Sequence, residues 1–179
     1  MRIIAGEFRS RRLKTLPGMA LRPTSDRLRE TLFNVLADTI RGAIFVDCYA
    51  GSGAVGLEAI SRGAAMAVFL EQSKGAVRVL HENIATLGVQ TRTRVYEGSV
   101  DRGLRQLATE NLVPAVIFLD PPYAAAEEYQ NTLTALSDSP ALIVAEHAAR
   151  TELISPPGLS RVRLLRQGDS ALSFFQSSK

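Results

Sequence analysis

From residue 44 onward, short apolar runs alternate with amphipathic stretches, and this alternation most constrains the fold. The runs are rich in Val, Ile, Leu and Phe, as in buried parallel strands. They occupy residues 44–48, 66–70, 93–96, 115–119 and 141–145. The stretches between them have helical spacing, and several end at a glycine. Repeated strand–helix units predict a parallel sheet covered by helices.

The last part of the chain departs from this alternation. Two further apolar runs, 161–165 and 171–175, are joined by Gln167-Gly168-Asp169 and read as a β-hairpin. Five βα units followed by a hairpin predict an α/β, Rossmann-like fold. Its sheet has seven strands and is mostly parallel, with the C-terminal hairpin antiparallel at one edge.

The first 42 residues precede this pattern and read as a small β and helical extension. Residues 2–16 are an irregular β segment, and a helix follows to Arg41, with Ser25 or Asp26 as its N-cap. Apolar residues at helical spacing form its core face, and we expect Arg27, Arg29 and Glu30 on its outer surface. We predict a single domain, 1–179, in which a basic arm and helix (1–42) precede the catalytic core (43–179).

Positive charge is concentrated in this extension. Residues 1–22 hold six basic residues and one acidic residue, Glu7, whereas the whole chain has a net charge of only +3. A basic arm on a near-neutral body suggests contact with a polyanion, although a solvated basic terminus has the same composition. The predicted nucleic-acid contacts are Arg9, Arg11, Arg12, Lys14, Arg22 and Arg27.

A glycine loop follows the first strand and indicates a nucleotide-like cofactor. The stretch from Asp47 to Gly56 contains GxGxxG between a strand and a helix, and Glu71 ends the next strand, where ribose hydroxyls are held in such folds. The pyrophosphate of a nicotinamide dinucleotide would be repelled by the negative charge of Asp47. The cationic sulfonium and ammonium of S-adenosylmethionine suit that carboxylate better, so we predict this cofactor.

The end of the third strand is expected to meet the adenine of the cofactor. Ser99 offers a side-chain acceptor for the adenine amine, and the backbone N–H of Val100 can reach a ring nitrogen. Gln72, after Glu71, and Thr24 complete the predicted set. The predicted cofactor-binding residues are Thr24, Asp47, Tyr49, Ala50, Gly51, Ser52, Gly53, Glu71, Gln72, Ser99 and Val100.

The fourth strand runs directly into Asp120-Pro121-Pro122-Tyr123. The prolines fix φ and remove two backbone donors, which leaves a rigid turn with a carboxylate, outward carbonyls and a flat ring. Open α/β sheets bind ligands at this carboxyl edge. An exocyclic amine of a nucleobase needs acceptors for its two N–H groups and a ring to stack on. We therefore predict these four residues as the catalytic set for a reaction on such an amine.

Other reactive residue types are sparse. Cys48, the one cysteine, is expected to be a packed residue beside the loop, His81 a surface residue, and His147 too isolated to form a metal site. We therefore expect no metal. No apolar run approaches the roughly 20 residues that span a bilayer, and the N-terminus carries no signal-like apolar region, so we expect a cytoplasmic protein without membrane contact.

Together these motifs resemble the class I S-adenosylmethionine-dependent methyltransferases. DPPY is similar to the (D/N)PP(Y/F) motif of amine-directed nucleic-acid methyltransferases. Over nearly its whole length the chain more closely resembles the RsmD-type bacterial 16S ribosomal RNA (guanine-N2)-methyltransferases. Ser99 stands where methyltransferases often carry Asp. The segments that carry this resemblance are residues 2–6, 21–34, 47–56, 120–123 and 168–172.

The resemblance implies methylation of the exocyclic N2 amine of a guanine in 16S ribosomal RNA, within a small-subunit particle, by a monomeric enzyme. The DPPY motif alone is shared with DNA adenine-N6 methyltransferases, which usually carry an extra recognition domain that 179 residues leave little room for. A non-catalytic RNA-binding protein with a vestigial cofactor site and a dinucleotide oxidoreductase are further alternatives. Intact glycine and DPPY motifs argue against the former, and nothing in the chain resembles a hydride-transfer site.

Overall fold

The structure, a computed structural model, describes residues 1–16, 23–121 and 126–179. The strands are β1 (Ile44–Cys48), β2 (Met66–Glu71), β3 (Thr93–Glu97), β4 (Val116–Leu119), β5 (Leu142–Ala148), β6 (Leu159–Gln167) and β7 (Ser170–Ser177). The helices are α1 (Pro23–Val35), α2 (Ala37–Ile40), α3 (Ala54–Ser61), α4 (Lys74–Leu87), α5 (Val100–Thr109) and α6 (Ala126–Ala135), with a 3₁₀ turn at Gln90–Arg92. None of the described helices is long and apolar enough to cross a lipid bilayer.

The strands form one seven-stranded sheet in the order β3-β2-β1-β4-β5-β7-β6. β1 to β5 pair in parallel, and β7 pairs antiparallel with both β5 and β6. This confirms the predicted Rossmann-like α/β sheet and its antiparallel hairpin. The strand order reverses between β1 and β4, and the crevice at the carboxyl ends of these two strands is where open α/β sheets bind ligands.

Two apolar layers enclose the sheet. On one face, α1, α3 and α4 pack over alternate strand residues such as Phe45, Phe69 and Phe118. On the other face, α5 and α6 cover the intervening residues, among them Val46 and Leu119. Side chains alternate between faces along a strand, so the central strands β1, β2 and β4 are buried on both sides, whereas the edge strands β3 and β6 are partly exposed.

The N-terminal arm, residues 1–16, is docked on α3. The buried carboxylate of Glu58 accepts the backbone N–H of Ile4 at 2.8 Å and that of Ala5 at 3.0 Å. Gly6 approaches so closely that a Cβ atom there would lie 1.9 Å from the carbonyl oxygen of Ser61. The arm has an isolated antiparallel bridge between Arg2 and Arg12, as expected for an irregular β segment.

Two expectations for the first helix are wrong. α1 begins at Pro23, so Ser25 and Asp26 lie in its first turn, and Asp26 instead pairs with Arg29 at 3.0 Å. Proline is favoured at the first helical position because its missing N–H would have no partner there. Arg29 is not on the surface: it is 5% exposed and faces the core, where Glu58 balances its charge.

Candidate active site

The predicted cofactor loop and the start of the turn at residues 120–123 (the Asp120 turn) line one cavity of about 750 Å³ at the carboxyl edge of the sheet, with Asp120 and Pro121 as the described residues of that turn. Its walls come from the ends of the central strands, from α1 and α6, and from the docked arm. This volume lies within the ~300–1,000 Å³ typical of small-molecule sites. The predicted residues on its wall are Asp47, Tyr49, Ala50, Gly51, Ser52, Glu71, Gln72, Ser99, Val100, Asp120 and Pro121.

The glycines of the loop permit close packing behind this wall. A Cβ atom on Gly53 would lie 2.3 Å from Cδ1 of Leu80, and one on Gly56 would lie 2.3 Å from the Phe69 ring. Gly53 is not among the described residues that line the cavity, and it allows the loop to pack closely against Leu80. Tyr49 adopts a positive φ of 64°, which is strained for a residue with a side chain.

Asp47 is a buried carboxylate at the base of the loop. It is 2% exposed, and its Oδ2 accepts the backbone N–H of Gly56 at 2.8 Å, which fixes the start of α3. Burial raises the pKa of Asp47 well above its ordinary value, and the nearby charges of Asp120 and Glu71 raise this pKa further. A cation in the cavity would favour the ionised form of Asp47.

Glu71 joins the loop to the end of β2. Its Oε2 accepts the backbone N–H of Gly51 at 2.7 Å, and its Oε1 accepts that of Ser73 at 2.7 Å. Each carboxylate oxygen retains a second lone pair that a hydroxyl group can use. Glu71 therefore shapes the loop as well as lining the cavity.

The adenine-facing residues predicted at the end of β3 also reach the cavity. Ser99 is the N-cap of α5, and its hydroxyl accepts the backbone N–H of Arg102 at 3.3 Å. Val100, the first residue of α5, is buried. The cap leaves the Ser99 hydroxyl with a further lone pair at an exposed position.

Asp120 and Pro121 stand at the carboxyl end of β4, beside the end of β1. The strands run in register from Phe45 and Val116 to Cys48 and Leu119, so the Asp120 turn and the glycine loop leave neighbouring strands at the same edge. Asp120 is exposed on the cavity wall, and Pro121 is buried. The predicted Pro122, Tyr123 and Arg22 lie outside the described residues, as does the side chain of Thr24.

The cavity is strongly acidic. Six carboxylate residues line it, while Arg29 is the single lysine or arginine among the described lining residues. The six are Asp47, Glu71, Asp101, Asp120, Glu128 and Glu146. Such a set attracts a cationic ligand and disfavours a pyrophosphate.

Sequence reasoning missed several residues of this wall. Glu146 follows the same rule as Glu71, an acid at the carboxyl end of a parallel strand, so its position in the sequence could have found it. Thr132 on α6, which holds the Tyr49 hydroxyl at 2.9 Å, carries no such signal. Burial raises the pKa of Tyr49 to about 12, and this phenol keeps its proton at neutral pH.

Of the remaining reactive residues, Cys48 and His147 are packed, whereas His81 is at the surface as expected. Cys48 is fully buried, and burial raises the pKa of its thiol well above the ordinary value, so the expected structural role is confirmed. His147 is 4% exposed and bonds to Ser173 Oγ at 2.8 Å. Within the described ranges, no group of three or more His, Cys, Asp or Glu residues is arranged to hold a metal ion.

The described residues that were predicted to contact nucleic acid lie at the surface, four of them in the arm and Arg27 on α1. Arg9, Arg11, Arg12 and Arg27 are exposed, and Lys14 is exposed with its Nζ 2.8 Å from Glu82. The backbone of Lys14 is fixed by Asn83, which binds both its N–H and its carbonyl and also holds the carbonyl of Ser52. The Asn83 side chain thus connects the basic arm to the cofactor loop.

Comparison with known proteins identifies the family. The profile of the family described as conserved hypothetical protein 95 matches residues 1–176. The chain belongs to this family.

Its relatives include the Escherichia coli (strain K12) ribosomal RNA small subunit methyltransferase D, with which it is 44% identical over 69% of this chain and 60% of that protein. A candidate rRNA methyltransferase of Bacillus subtilis (strain 168) is 34% identical over 86% of this chain and 85% of that protein. The resemblance to RsmD-type methyltransferases is confirmed.

Solved structures agree with this assignment. A candidate methyltransferase of Escherichia coli superposes with a TM-score of 0.83 at 37% identity, covering 99% of this chain and 97% of that one. A structure of a candidate methyltransferase bound to S-adenosylhomocysteine has a TM-score of 0.69 at 12% identity, over 87% of this chain and 50% of that one. The second likeness concerns the fold alone.

The residues of this cavity fit S-adenosylmethionine. Its sulfonium and ammonium are cations, which the six lining carboxylates match. The Glu71 carboxylate is placed beside the loop where a ribose hydroxyl can bond to it, and Ser99 and Val100 offer polar groups beyond it. A dinucleotide pyrophosphate would instead face these carboxylates.

Proposed function

We propose that this protein transfers a methyl group from S-adenosylmethionine to the exocyclic N2 amine of a guanine in 16S ribosomal RNA. The observation that carries the proposal is the meeting of the glycine loop and the Asp120 turn in one acidic cavity. The names of the relatives support an RNA of the small ribosomal subunit as the substrate.

The cofactor is held by the residues predicted for it. Asp47, Glu71 and the loop between them bind the methionine and ribose parts, and Ser99 and Val100 bind the adenine. When bound there, S-adenosylmethionine supplies an electrophilic methyl group. Glu71 also keeps the loop in shape through the N–H of Gly51.

The Asp120 turn positions the acceptor nitrogen. The guanine leaves its stack to enter the cavity, which costs a few kcal/mol. The Asp120 carboxylate and the Pro121 carbonyl accept the two amine hydrogens, so the nitrogen lone pair leaves conjugation with the base. Pro122 keeps the turn rigid, and Tyr123 stacks on the base. The nitrogen loses one proton as its new bond forms, and we assign the acceptance of that proton to Asp120. Positioning provides most of the rate enhancement.

The RNA backbone contacts the arm. Arg9, Arg11, Arg12, Lys14, Arg22 and Arg27 hold its phosphates. The predicted single domain, in which residues 1–42 act together with residues 43–179, is supported by the hydrogen bonds of Glu58 and Asn83 to the arm. The protein works as a monomer in the cytoplasm on a small-subunit particle, whose folded RNA presents the target base.

The test of this function uses tritiated S-adenosylmethionine and small ribosomal subunits that lack their modifications, with duplex DNA in parallel. We expect label in the 16S RNA, recovered as 2-methylguanosine after digestion. Label in DNA adenine would replace the proposal with DNA adenine methylation. Cofactor binding without label in either substrate would instead favour a non-catalytic RNA-binding protein.

A further inference from the structure

Three arginines meet in a small depression that extends from the end of β5 across β7 to β6. Its lining includes Arg150, Arg161 and Arg166, together with His147 and one acidic residue, Glu152. Its volume is about 60 Å³, room for a group of a few atoms and far smaller than the cofactor cavity. None of these residues belongs to the proposed catalytic, cofactor or arm contacts.

The sheet register explains how separate parts of the chain form this depression. Arg161 pairs with Phe175 and Arg166 with Ala171, so both lie over the same face of β7 as Ser173. β5 flanks β7 along its other edge, and from there the His147 side chain forms a hydrogen bond with Ser173. Arg150 lies two residues after the end of β5, near the carboxyl edge of the sheet, and completes the lining of the depression.

Most of this positive charge has no protein partner. Arg161 lies 3.4 Å from Glu152, which is 82% exposed, a weak ion pair. Within the described ranges, neither Arg150 nor Arg166 makes an ion pair, and both are exposed. The charges also act on His147, whose pKa is lowered chiefly by burial and further by Arg161 and Arg166.

The depression lies close to the cavity but on the other face of the sheet. Glu146 lines the cavity, and the next residue, His147, lines the depression, because neighbouring strand residues point to opposite faces. The basic arm packs against α3 and α4, on the face that Glu146 shares. The arm and these arginines therefore place positive charge on opposite faces of the sheet.

We propose that Arg150, Arg161 and Arg166 bind a backbone phosphate of the RNA substrate, as a second anchor across the cavity from the arm. Arginine is suited to this because its planar guanidinium offers two parallel N–H donors to phosphate oxygens. The carboxylates of the cavity repel the RNA phosphates. Two anchors offset this repulsion and hold the RNA so that its target base enters the cavity. This inference rests on the proposed function for the identity of the RNA.

The test compares the double variant Arg150→Glu/Arg166→Glu with Arg41→Glu. Arg41 is an exposed arginine three residues before the start of β1. It therefore lies at the amino-terminal edge of the sheet, opposite the cavity. Fluorescence anisotropy measures the binding of a labelled 16S RNA fragment between 50 and 300 mM salt. Thermal unfolding of each variant verifies that it is folded, and the single variant Arg166→Gln replaces the double variant if that one does not fold.

For the double variant, we expect RNA affinity to fall at least tenfold relative to Arg41→Glu. The slope of log K against log salt should decrease by about 0.7 for each RNA phosphate that is no longer bound. The KM for RNA rises, while kcat at saturating RNA and cofactor affinity stay unchanged. Equal affinities and slopes for the double variant and Arg41→Glu would overturn the inference.

Failure of the proposed function has a different signature. In that case the unmodified protein transfers no label to small subunits, whatever the anisotropy shows. Inorganic phosphate, added at constant ionic strength, distinguishes a specific phosphate site from general electrostatic attraction. Phosphate should compete with RNA for binding to the unmodified protein, and this competition should disappear in the double variant. Equal competition in both proteins would count against the site.

Discussion

The carboxylate of Glu71 holds the glycine loop by accepting the backbone N–H of Gly51 at 2.7 Å. Its second oxygen accepts the N–H of Ser73 at the start of α4, also at 2.7 Å. One side chain thus sets the position of the loop relative to β2 and α4. The proposed ribose contact is made by a residue that already shapes the site.

Replacement of Glu71 by Gln should therefore weaken cofactor binding. A glutamine has one acceptor oxygen, so one of the two backbone N–H groups loses its acceptor and faces an amide NH₂ group. We expect the Kd for S-adenosylmethionine to rise at least about tenfold, or about 1.4 kcal/mol, as measured by isothermal titration calorimetry. Glu97→Gln is the matched control, because Glu97 is the register partner of Glu71 on β3 and is exposed. An equal rise of Kd in both variants would contradict the role of Glu71.

Cofactor affinity should rise with pH in a way that depends on Asp47. The pKa of this buried carboxyl lies well above its ordinary value, so it is protonated at low pH and ionises as the pH increases. Only the ionised form attracts the sulfonium, so affinity increases through this pKa and then levels off. Asp47→Asn keeps an oxygen for the N–H of Gly56 and should bind about tenfold more weakly (about 1.4 kcal/mol) at high pH.

Calorimetry between pH 5 and 9 provides the measurement for Asp47. The Asn variant should show a flat profile over the range in which the unmodified protein gains affinity. A parallel rise in both proteins would assign the pH dependence to another group.

Substitution of Gly6 by Ala should undock the arm. A Cβ atom there would lie 1.9 Å from the Ser61 carbonyl oxygen, and the residue has a φ of +86°. Gly42 has a similar φ of +71°, but a Cβ atom on it would have no neighbour within 4 Å, so Gly42→Ala isolates the backbone strain. We expect a decrease in the free energy of unfolding of about 1 kcal/mol for Gly42→Ala and about 3 kcal/mol or more for Gly6→Ala.

Urea unfolding of both glycine variants gives these values. The Gly6 variant should also bind RNA more weakly, because the arm carries most of the predicted phosphate contacts. Equal destabilisation by the two substitutions would mean that the close approach to Ser61 is unimportant.

The stability of the protein should fall in mild acid through His147. The Ala148 carbonyl only accepts hydrogen bonds, so Nδ1 carries the proton and Nε2 accepts from Ser173 Oγ. Burial lowers the pKa of His147 from its ordinary 6.5, so the folded state favours the neutral ring. Its contribution is therefore present above pH 6.5 and is lost as the pH falls through the folded-state pKa.

The check for His147 is the free energy of unfolding in urea at pH 5 to 8. The unmodified protein should lose stability more steeply with decreasing pH than His147→Gln, by up to about 1.4 kcal/mol per pH unit. Comparing how steeply the free energy of unfolding changes with pH in the two proteins removes the part of the destabilisation that is independent of pH. Identical slopes would show that His147 does not titrate differently in the two states.

Much of the fold could be predicted because local signals agreed with the tertiary structure. β1 has the predicted bounds, Ile44–Cys48, and Ser73 and Gly88 cap α4 as their residue types suggest. The loop and the Asp120 turn were found because parallel strands bring their carboxyl ends together.

Arg29 occupies a position that no local pattern predicts. An arginine outside the apolar positions of a helix is expected to be exposed, but Arg29 is buried, and its Nη2 donates to the carbonyl of Arg2 in the docked arm at 2.7 Å. That hydrogen bond joins residues 27 positions apart, beyond the reach of helical periodicity. Thr132 joins the cavity wall for the same reason, since only the packing of α6 brings it to Tyr49.

The most direct test of the proposed function is methyl transfer by Asp120→Ala on small ribosomal subunits that lack their modifications. We expect 2-methylguanosine with the unmodified protein and a rate at least about 10²–10³-fold lower with the variant, measured by mass spectrometry of the digested 16S RNA. The Kd for S-adenosylmethionine should stay within about a factor of two, since Asp120 binds the target amine and not the cofactor. Transfer by the variant at the unmodified rate would contradict the proposed role of the Asp120 turn.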